Sequence, residues 1–574
     1  MKKINNFVLG IVLSLIIVIT YWGLFHAFFQ QDEWLGFGHY LLSFSSGGLL
    51  NVIRDSFGTR LVPLTIIDVF LQFKLFGLNF EPYVAISIAN HVVNTILVFY
   101  LAILVLKNKW LAFFTSILFA TSSISSQSVS WIAASTPTQR AAMFTILSLI
   151  FTFRFFTENK RKLFLFLSLL FAAIAFLYKE TSLMLFVLYP IIWLLYEQNK
   201  KKIYKKFLFL YGVVFLFYFF SRMFTYSISI SSTLVSSANP LTQANIQTYI
   251  FRMVTFPLKI IPQTIIPEQL LNGLAEKIVF LSYPQYFAFS QTEINPYVTQ
   301  TVLYDMICYM IGLVIIALVF FLNRNYKENN KNYSRALLLS ISIIVASAFP
   351  FVFMQGKSGF LSIFEPRHLY IGTVGSSMLL VLLIYSLLQC VFKQKKYVTI
   401  ITGIFVLFIS SYHYFVIKEQ IDALVQAANK RKYMLSEIKR DYPILPQNVI
   451  VYTESDKAYY GLADDEKILP FQSGFGQTLL VWYQMSGANF PKCMFENNYL
   501  YAIESEGYKE CEGRGYGYYR MFDSLISSIK INKIDHKYVI AFSYNSSSGK
   551  LVDITDKIRR QLNSIMLPNS QLQL

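Results

Sequence analysis

Charge is what this 574-residue chain has least of: 14% of its residues are Asp, Glu, Lys or Arg. A soluble chain carries about a quarter. The shortfall excludes an ordinary soluble enzyme. Carboxylates are the scarcer half, 32 against 50 Lys and Arg. Cysteine is also sparse, with four residues and neither a CxxC pair nor a Cys/His zinc pattern. No Gly-rich phosphate loop, GxSxG elbow, heptad run, low-complexity tract or tetratricopeptide repeat occurs. The routes to function that such motifs mark are therefore closed.

What the chain has instead is apolar length. Hydrophobic residues make up 55%, with 54 Phe and 38 Tyr, and the mean hydropathy is +0.47. This composition predicts a polytopic membrane protein with aromatic, interfacial helices. About eleven spans are expected, near 7–29, 83–106, 110–124, 138–156, 163–178, 182–196, 207–222, 301–322, 336–355, 369–392 and 397–417. The first reads as a retained helix: it is too long for a signal-peptide core and no small-residue cleavage site follows. The net charge of +18 does not point to nucleic acid, because the Lys and Arg fall in short loops between apolar runs. Lys2-Lys3, Lys107/Lys109, Lys160-Arg161-Lys162, Lys200–Lys206, Arg324–Arg335 and Lys393/Lys395/Lys396 all map to one side, which is thereby expected to be cytoplasmic, with the N-terminus. The pattern, without organelle addresses, suits a bacterial inner membrane.

The opposite side receives the long segments: 30–82, Ser122–Gln139, 223–300, Gln355–His368 and the tail from Lys418. Leu61–Phe76 is half-apolar and suits the interface. In the tail, Lys418–Arg440 has helical periodicity, and Val449–Thr453 and Tyr538–Tyr544 read as buried strands. A membrane domain over 1–417 and a small α/β or α+β domain over 418–574 are expected. Cys493 and Cys511 both lie in that tail; outside the cytoplasm they would be free to bond. Cys308 and Cys390 fall in apolar spans.

Three charged clusters are candidates for chemistry. Asp32 and Glu33 follow the first span at once, in Gln30-Gln31-Asp32-Glu33-Trp34. Such a pair is either a solvated loop or a working site: a base for a hydroxyl acceptor, or a holder of a divalent cation against a phosphate. Lys179-Glu180 sit between two apolar runs too close for an ordinary hydrophilic loop. They are a tight turn with snorkelling side chains, or they face a cavity where Lys179 binds an anionic phosphate. Arg367, in Glu365-Pro366-Arg367-His368-Leu369-Tyr370, is an interfacial anchor or a phosphate clamp. Arg60, His91, Arg140, His368 and Trp131 are weaker candidates for lining the same cavity, and a lone His at a span start reads first as a hydrogen-bonded structural residue. The clusters come from distant segments yet map to one membrane face.

Several blocks in fixed order carry a resemblance. They are Arg60-Leu61-Val62-Pro63-Leu64-Thr65, Leu75-Phe76-Gly77-Leu78-Asn79, Asn90-His91-Val92-Val93-Asn94, Ser130-Trp131-Ile132-Ala133, Lys179-Glu180 and Arg367-His368-Leu369-Tyr370. Together they resemble the motifs of GT-C integral-membrane glycosyltransferases, in the branch of the transmembrane and tetratricopeptide-repeat O-mannosyltransferases and their bacterial relatives, over roughly residues 20–380. The resemblance implies an all-α GT-C membrane domain and an inverting transferase using a polyprenyl-phosphate sugar donor at the extracytoplasmic face. It gives the catalytic-base role to Asp32, with Glu33 as second member of the acidic pair, and places Lys179, Glu180 and Arg367 near the donor phosphate. It leaves metal dependence open, a divalent cation such as Mg or Mn on Asp32 being the candidate. The pair is Asp-Glu where the family often has Asp-Asp, and His368 stands where a Tyr is common. The missing repeats leave the acceptor open between a protein and a glycan. Two other readings stand beside this one: a transporter or flippase for a lipid-linked glycan, which would need inverted repeats and broken helices, and a non-catalytic membrane scaffold, which would tolerate loss of the acidic pair.

Overall fold

The computed structural model describes residues 5–30, 32–45, 62–157, 162–196, 246–282, 296–326, 331–352, 366–456 and 474–566, with a few single positions between 205 and 220. Arg60, Glu365 and most of the expected span 207–222 lie outside them. In chain order the main helices are α1 (Asn6–Tyr21), α2 (Asp32–Ser45), α3 (Pro63–Phe76), α4 (Glu81–Leu106), α5 (Lys109–Thr121), α6 (Ser123–Ser130), α7 (Ile132–Thr157), α8 (Lys162–Tyr178), α9 (Met184–Tyr196), α10 (Ile246–Gln263), α11 (Glu268–Ser282), α12 (Pro296–Tyr326), α13 (Lys331–Val352), α14 (Gly372–Val391) and α15 (Lys395–Asp441). The helices α16 (Phe475–Met485), α17 (Asn497–Ser505), α18 (Phe522–Asn532) and α19 (Thr555–Met566) follow, interleaved with strands β1 (Asn448–Ser455), β2 (Gly507–Cys511), β3 (Arg514–Tyr519), β4 (Val539–Asn545) and β5 (Lys550–Asp553).

Among the described residues, seven helical segments are long and apolar enough to cross a membrane: Asn6–His26, Glu81–Leu106, Ile132–Thr157, Val302–Leu322, Asn332–Val352, Gly372–Val391 and one within Lys395–Asp441. Three shorter apolar helices, Lys109–Thr121, Lys162–Tyr178 and Glu180–Tyr196, match further expected spans. The protein is a multi-pass membrane protein. Two local readings change. The first span ends its α-helix at Tyr21 and continues as a 3-10 turn, Trp22–His26. Asp32 and Glu33 open a helix rather than sit in a loop, because carboxylates in a first turn complement the helix dipole.

The chain forms two compact units. The first comprises Met1–Trp22, Asp55–Asp68 and Val84–Gln420. Its core is lined by Ile117, Phe119, Ile146, Leu149, Leu188, Ile343, Met378 and Leu382. In lipid, apolar burial does not drive helices together, so close approach and interhelical hydrogen bonds must. Both are present. A Cβ on Gly375 would stand 2.6 Å from the Ser340 carbonyl, so glycine is what lets α14 lie against α13. Ser148, Thr152, Ser168 and Tyr189 bond α7, α8 and α9 through their hydroxyls, Thr152 to Ser168 at 2.7 Å and Ser168 to Tyr189 at 2.9 Å.

The second unit comprises Gly23–Arg54, Val69–Tyr83 and Ile421–Leu574. The expected boundary at 417/418 falls inside the continuous 47-residue α15, and segments near the N-terminus join the tail. Its sheet has the order β2-β3-β1-β4-β5. The central β3, β1 and β4 run parallel, and β2 and β5 close the edges as antiparallel partners. A central parallel strand is covered on both faces, so β1 is buried continuously from Val449 to Thr453. Ile450 and Tyr452 pack with Leu525, Ile529, Ile558 and Leu562. Thr453 reaches the Tyr518 hydroxyl at 3.0 Å, and Phe475 packs on the Tyr518 ring.

Cys493 and Cys511 are disulfide-bonded. The bridge closes a short loop joining β2 to the turn before α17. Removing it with Cys493→Ser lowers the stability of this unit by roughly 3 kcal/mol. Thermal unfolding of the purified protein with and without reductant checks this; the variant should be insensitive to reductant.

Candidate functional site

In the first unit the polar residues gather about the start of α7. Thr136, Pro137, Thr138, Gln139 and Arg140 occupy its early turns, where polar side chains lie among buried helices. Pro137 cannot donate to the Ala133 carbonyl, which loosens this turn. Around it a hydrogen-bond network connects four segments distant in sequence.

The buried half of the network is fixed. The Asn94 amide donates to the Gln139 carbonyl at 3.0 Å and to the Tyr370 hydroxyl at 3.2 Å. His91 Nε2 lies 3.1 Å from the Ala120 carbonyl, and Nδ1 2.7 Å from the Tyr370 hydroxyl. A carbonyl only accepts, so Nε2 carries a proton and donates it. In the neutral ring Tyr370 then donates to Nδ1. The Gln139 amide donates to Ser87 at 3.3 Å, and Ser87 donates to the Val129 carbonyl at 2.7 Å. His91 is thus fully buried with both nitrogens engaged.

The more open half carries the charge. Arg140 Nε stands 3.3 Å from Asp68, and both side chains are partly exposed, at 29% and 20%. Tyr178 donates to the same carboxylate at 3.3 Å, and Thr65 donates to the Tyr178 carbonyl at 2.6 Å. Lys179 follows directly, its ammonium 2.7 Å from the Thr138 hydroxyl. Glu180 opens a 3-10 turn, Glu180–Leu183, and is half-buried. Arg367 lies with its guanidinium 4.2 Å from the centre of the Trp131 ring. Its backbone N–H donates to Gln127, and its carbonyl accepts from Ser128, both at 3.2 Å. His368 packs against Phe351 with ring centres 4.6 Å apart. The structure therefore brings the segments of His91, Arg140, Lys179 and Arg367 into one network. Among the described residues this network gathers Arg140, Lys179 and Arg367 with Asp68 and Glu180.

Asp32 and Glu33 belong to the second unit. Glu33 is buried and accepts the Gln30 N–H at 3.2 Å, in the manner of a capping box, while Asp32 is exposed. Two turns on, burial pushes His39 down to about 4, so it is neutral at pH 7 and adds no positive charge to this helix. Trp34, fully buried, packs edge-on against Phe29, Phe37 and Trp482.

Two features escaped the sequence reading. Asp68 was passed over as part of the half-apolar stretch Leu61–Phe76; a lone carboxylate in such a helix is itself the signal. Lys259 and Asp305 form a buried pair at 2.5 Å between α10 and α12. Asp305 falls within the expected span 301–322, where an acidic residue calls for a partner. Among the described residues no group of three or more His, Cys, Asp and Glu side chains could hold a metal ion.

Tyr370→Phe leaves the Asn94 amide and His91 Nδ1 short of a partner, and should cost about 1–3 kcal/mol in stability. Arg140→Gln removes a partly exposed pair and should cost less than about 1 kcal/mol. Thermal unfolding in lipid nanodiscs separates the two.

Comparison with known proteins bears on residues 63–226, which match the family model described as dolichyl-phosphate-mannose-protein mannosyltransferase. That stretch holds His91, Trp131, Arg140 and Lys179. A comparison with curated proteins finds no match. Among solved structures, ArnT from Cupriavidus metallidurans is similar in its apo state (12% identity, TM-score 0.37) and bound to undecaprenyl phosphate (11% identity, TM-score 0.40). Each alignment covers 94% of this chain and 92% of that one. A similarity this loose transfers no residue and no ligand. Through its ordered motifs and the matched stretch, the chain resembles the GT-C membrane glycosyltransferases of the protein mannosyltransferase type.

Proposed function

We propose that this protein transfers one sugar from a polyprenyl-phosphate donor to a hydroxyl acceptor at the extracytoplasmic membrane face, with inversion at the anomeric carbon. The observation that carries this reading is the network at the start of α7. It joins Lys179, Arg140 and the Arg367 segment inside the membrane unit, within and beside the matched stretch. Cationic groups at a helical membrane scaffold suit a lipid phosphate, and they stabilise the charge that grows on it as the sugar leaves.

In this reading Arg367 and Lys179 hold the phosphate. Trp131 beneath the guanidinium fixes its plane, and Thr138 fixes the ammonium. Glu180 orients Lys179. Asp32 takes the acceptor proton as the new bond forms, and Glu33, tied to the backbone, holds the helix start that presents it. His91 and Tyr370 do no chemistry; they keep α4, α5, α7 and the Arg367 segment in register. The disulfide in the second unit favours an oxidising compartment and hence the outer face for that unit. The acceptor is a protein or a glycan presented there.

Purified protein in nanodiscs, given a panel of polyprenyl-phosphate sugars, should release sugar from one of them. Asp32→Asn should lower that rate by about 10²-fold or more while leaving thermal stability unchanged. Arg140→Gln should weaken donor binding more than it lowers the melting temperature. A folded Asp32→Asn variant with full transfer activity would remove the assignment. Chelation followed by Mg or Mn addition shows whether a cation joins Asp32 to the phosphate.

A further inference from the structure

The second unit contains a cavity that the transfer chemistry does not use. Its volume is about 420 Å³, within the range of small-molecule sites. Its walls are the ends of two helices and the side of a third. From the end of α3 come Leu78 and Asn79, from the end of α16 come Trp482, Met485 and Ser486, and from α15 come Lys432 and Ser436 one turn apart. Phe28 closes it.

Two glycines shape these walls. Gly77 takes φ +54° and donates its N–H to the Phe73 carbonyl at 2.8 Å, ending α3 and turning Leu78 and Asn79 into the lining. Gly487, at φ +94°, follows the end of α16. The Leu75-Phe76-Gly77-Leu78-Asn79 block has no part in the phosphate network, and this cavity gives it one.

The lining has a definite chemistry. The Phe28 and Trp482 rings meet edge-on, 6.3 Å apart at 80°; Phe28 is buried and Trp482 is the partly exposed aromatic surface. Asn79, Ser436 and Ser486 supply amide and hydroxyl groups. Lys432 is the one charged side chain on the lining among the described residues; it is exposed, with its ammonium 5.1 Å from the centre of the Phe28 ring. Among the described residues the lining holds no carboxylate. Aromatic faces with amide and hydroxyl groups suit a pyranose ring, which has apolar C–H faces and a hydroxyl rim. The exposed ammonium suits an anionic substituent.

We infer that this cavity binds a saccharide unit carrying a negative charge, and that it seats the acceptor as an acidic glycan. The acceptor role rests on the transferase reading; the binding site does not.

The test uses full-length protein in uncharged nanodiscs, without donor. The probes are tetragalacturonate and the neutral maltotetraose, and binding is read by saturation-transfer NMR and calorimetry. Tetragalacturonate should bind the wild type several-fold more tightly than maltotetraose. Trp482→Ala should weaken both by about tenfold or more, and Lys432→Gln should bring the acidic probe down to the level of the neutral one. Ser436→Trp, at an exposed position, fills the cavity and should abolish binding of both without loss of thermal stability. Binding that none of the three variants changes, or no binding of either probe to the wild type, would overturn the site. Equal binding of the two probes would overturn its preference for charge. Asp32→Asn should bind tetragalacturonate as the wild type does. If the wild type binds it but consumes no donor under any condition, the transferase reading falls and the saccharide site stands.

Discussion

Inside a bilayer a polar side chain has no water to turn to, and each must find a partner in the protein. The cluster at the start of α7 is organised by that constraint. His91, Asn94, Gln139, Ser87 and Tyr370 are all buried, and each reaches another member or a backbone carbonyl. Because every bond joins two different segments of the chain, satisfying the polar groups also fixes how those segments sit against one another. Arg140 and Lys179 sit beside this patch, held by Asp68 and Thr138. A site assembled this way gets its preorganisation from the rule that lets it exist in lipid at all.

Much of this was legible in the chain. Apolar length marks where the membrane helices lie, because length is what a bilayer selects on. Ten of the eleven expected spans have a described helix. The candidates Lys179, Arg140, His91 and Arg367 stood out for a related reason: an ionisable residue between apolar runs is costly unless something answers it. What was hidden was the partner of each. Asp68, the answer to Arg140, lies in a helix that sequence pattern places at the interface, and no local signal joins it to a residue on α7.

The second unit was harder to read. Two of its five strands, β1 and β4, are runs of buried aliphatic and aromatic residues and were visible. The others, Gly507–Cys511, Arg514–Tyr519 and Lys550–Asp553, are glycine- and tyrosine-rich or short and half-exposed. Their strand character comes from pairing with neighbours, which propensity does not record. The recruitment of 23–54 and 69–83 into that unit was equally hidden, since nothing in a sequence marks a domain made from separated segments.

That separation has a consequence for biosynthesis. Trp34 packs on Trp482, and a side chain at Gly38 would collide with Leu500, so α2 is built to receive residues from the far end of the chain. Translation at about 5–20 residues per second leaves α2 waiting on the order of tens of seconds before those residues exist. For that interval Trp34 and Phe37 have only neighbours from the N-terminal part, such as Phe29 and Phe73, to pack on. Completion of this half of the protein therefore waits until late in translation. Truncation near the C-terminus should be felt first as misfolding of a helix that begins at residue 32.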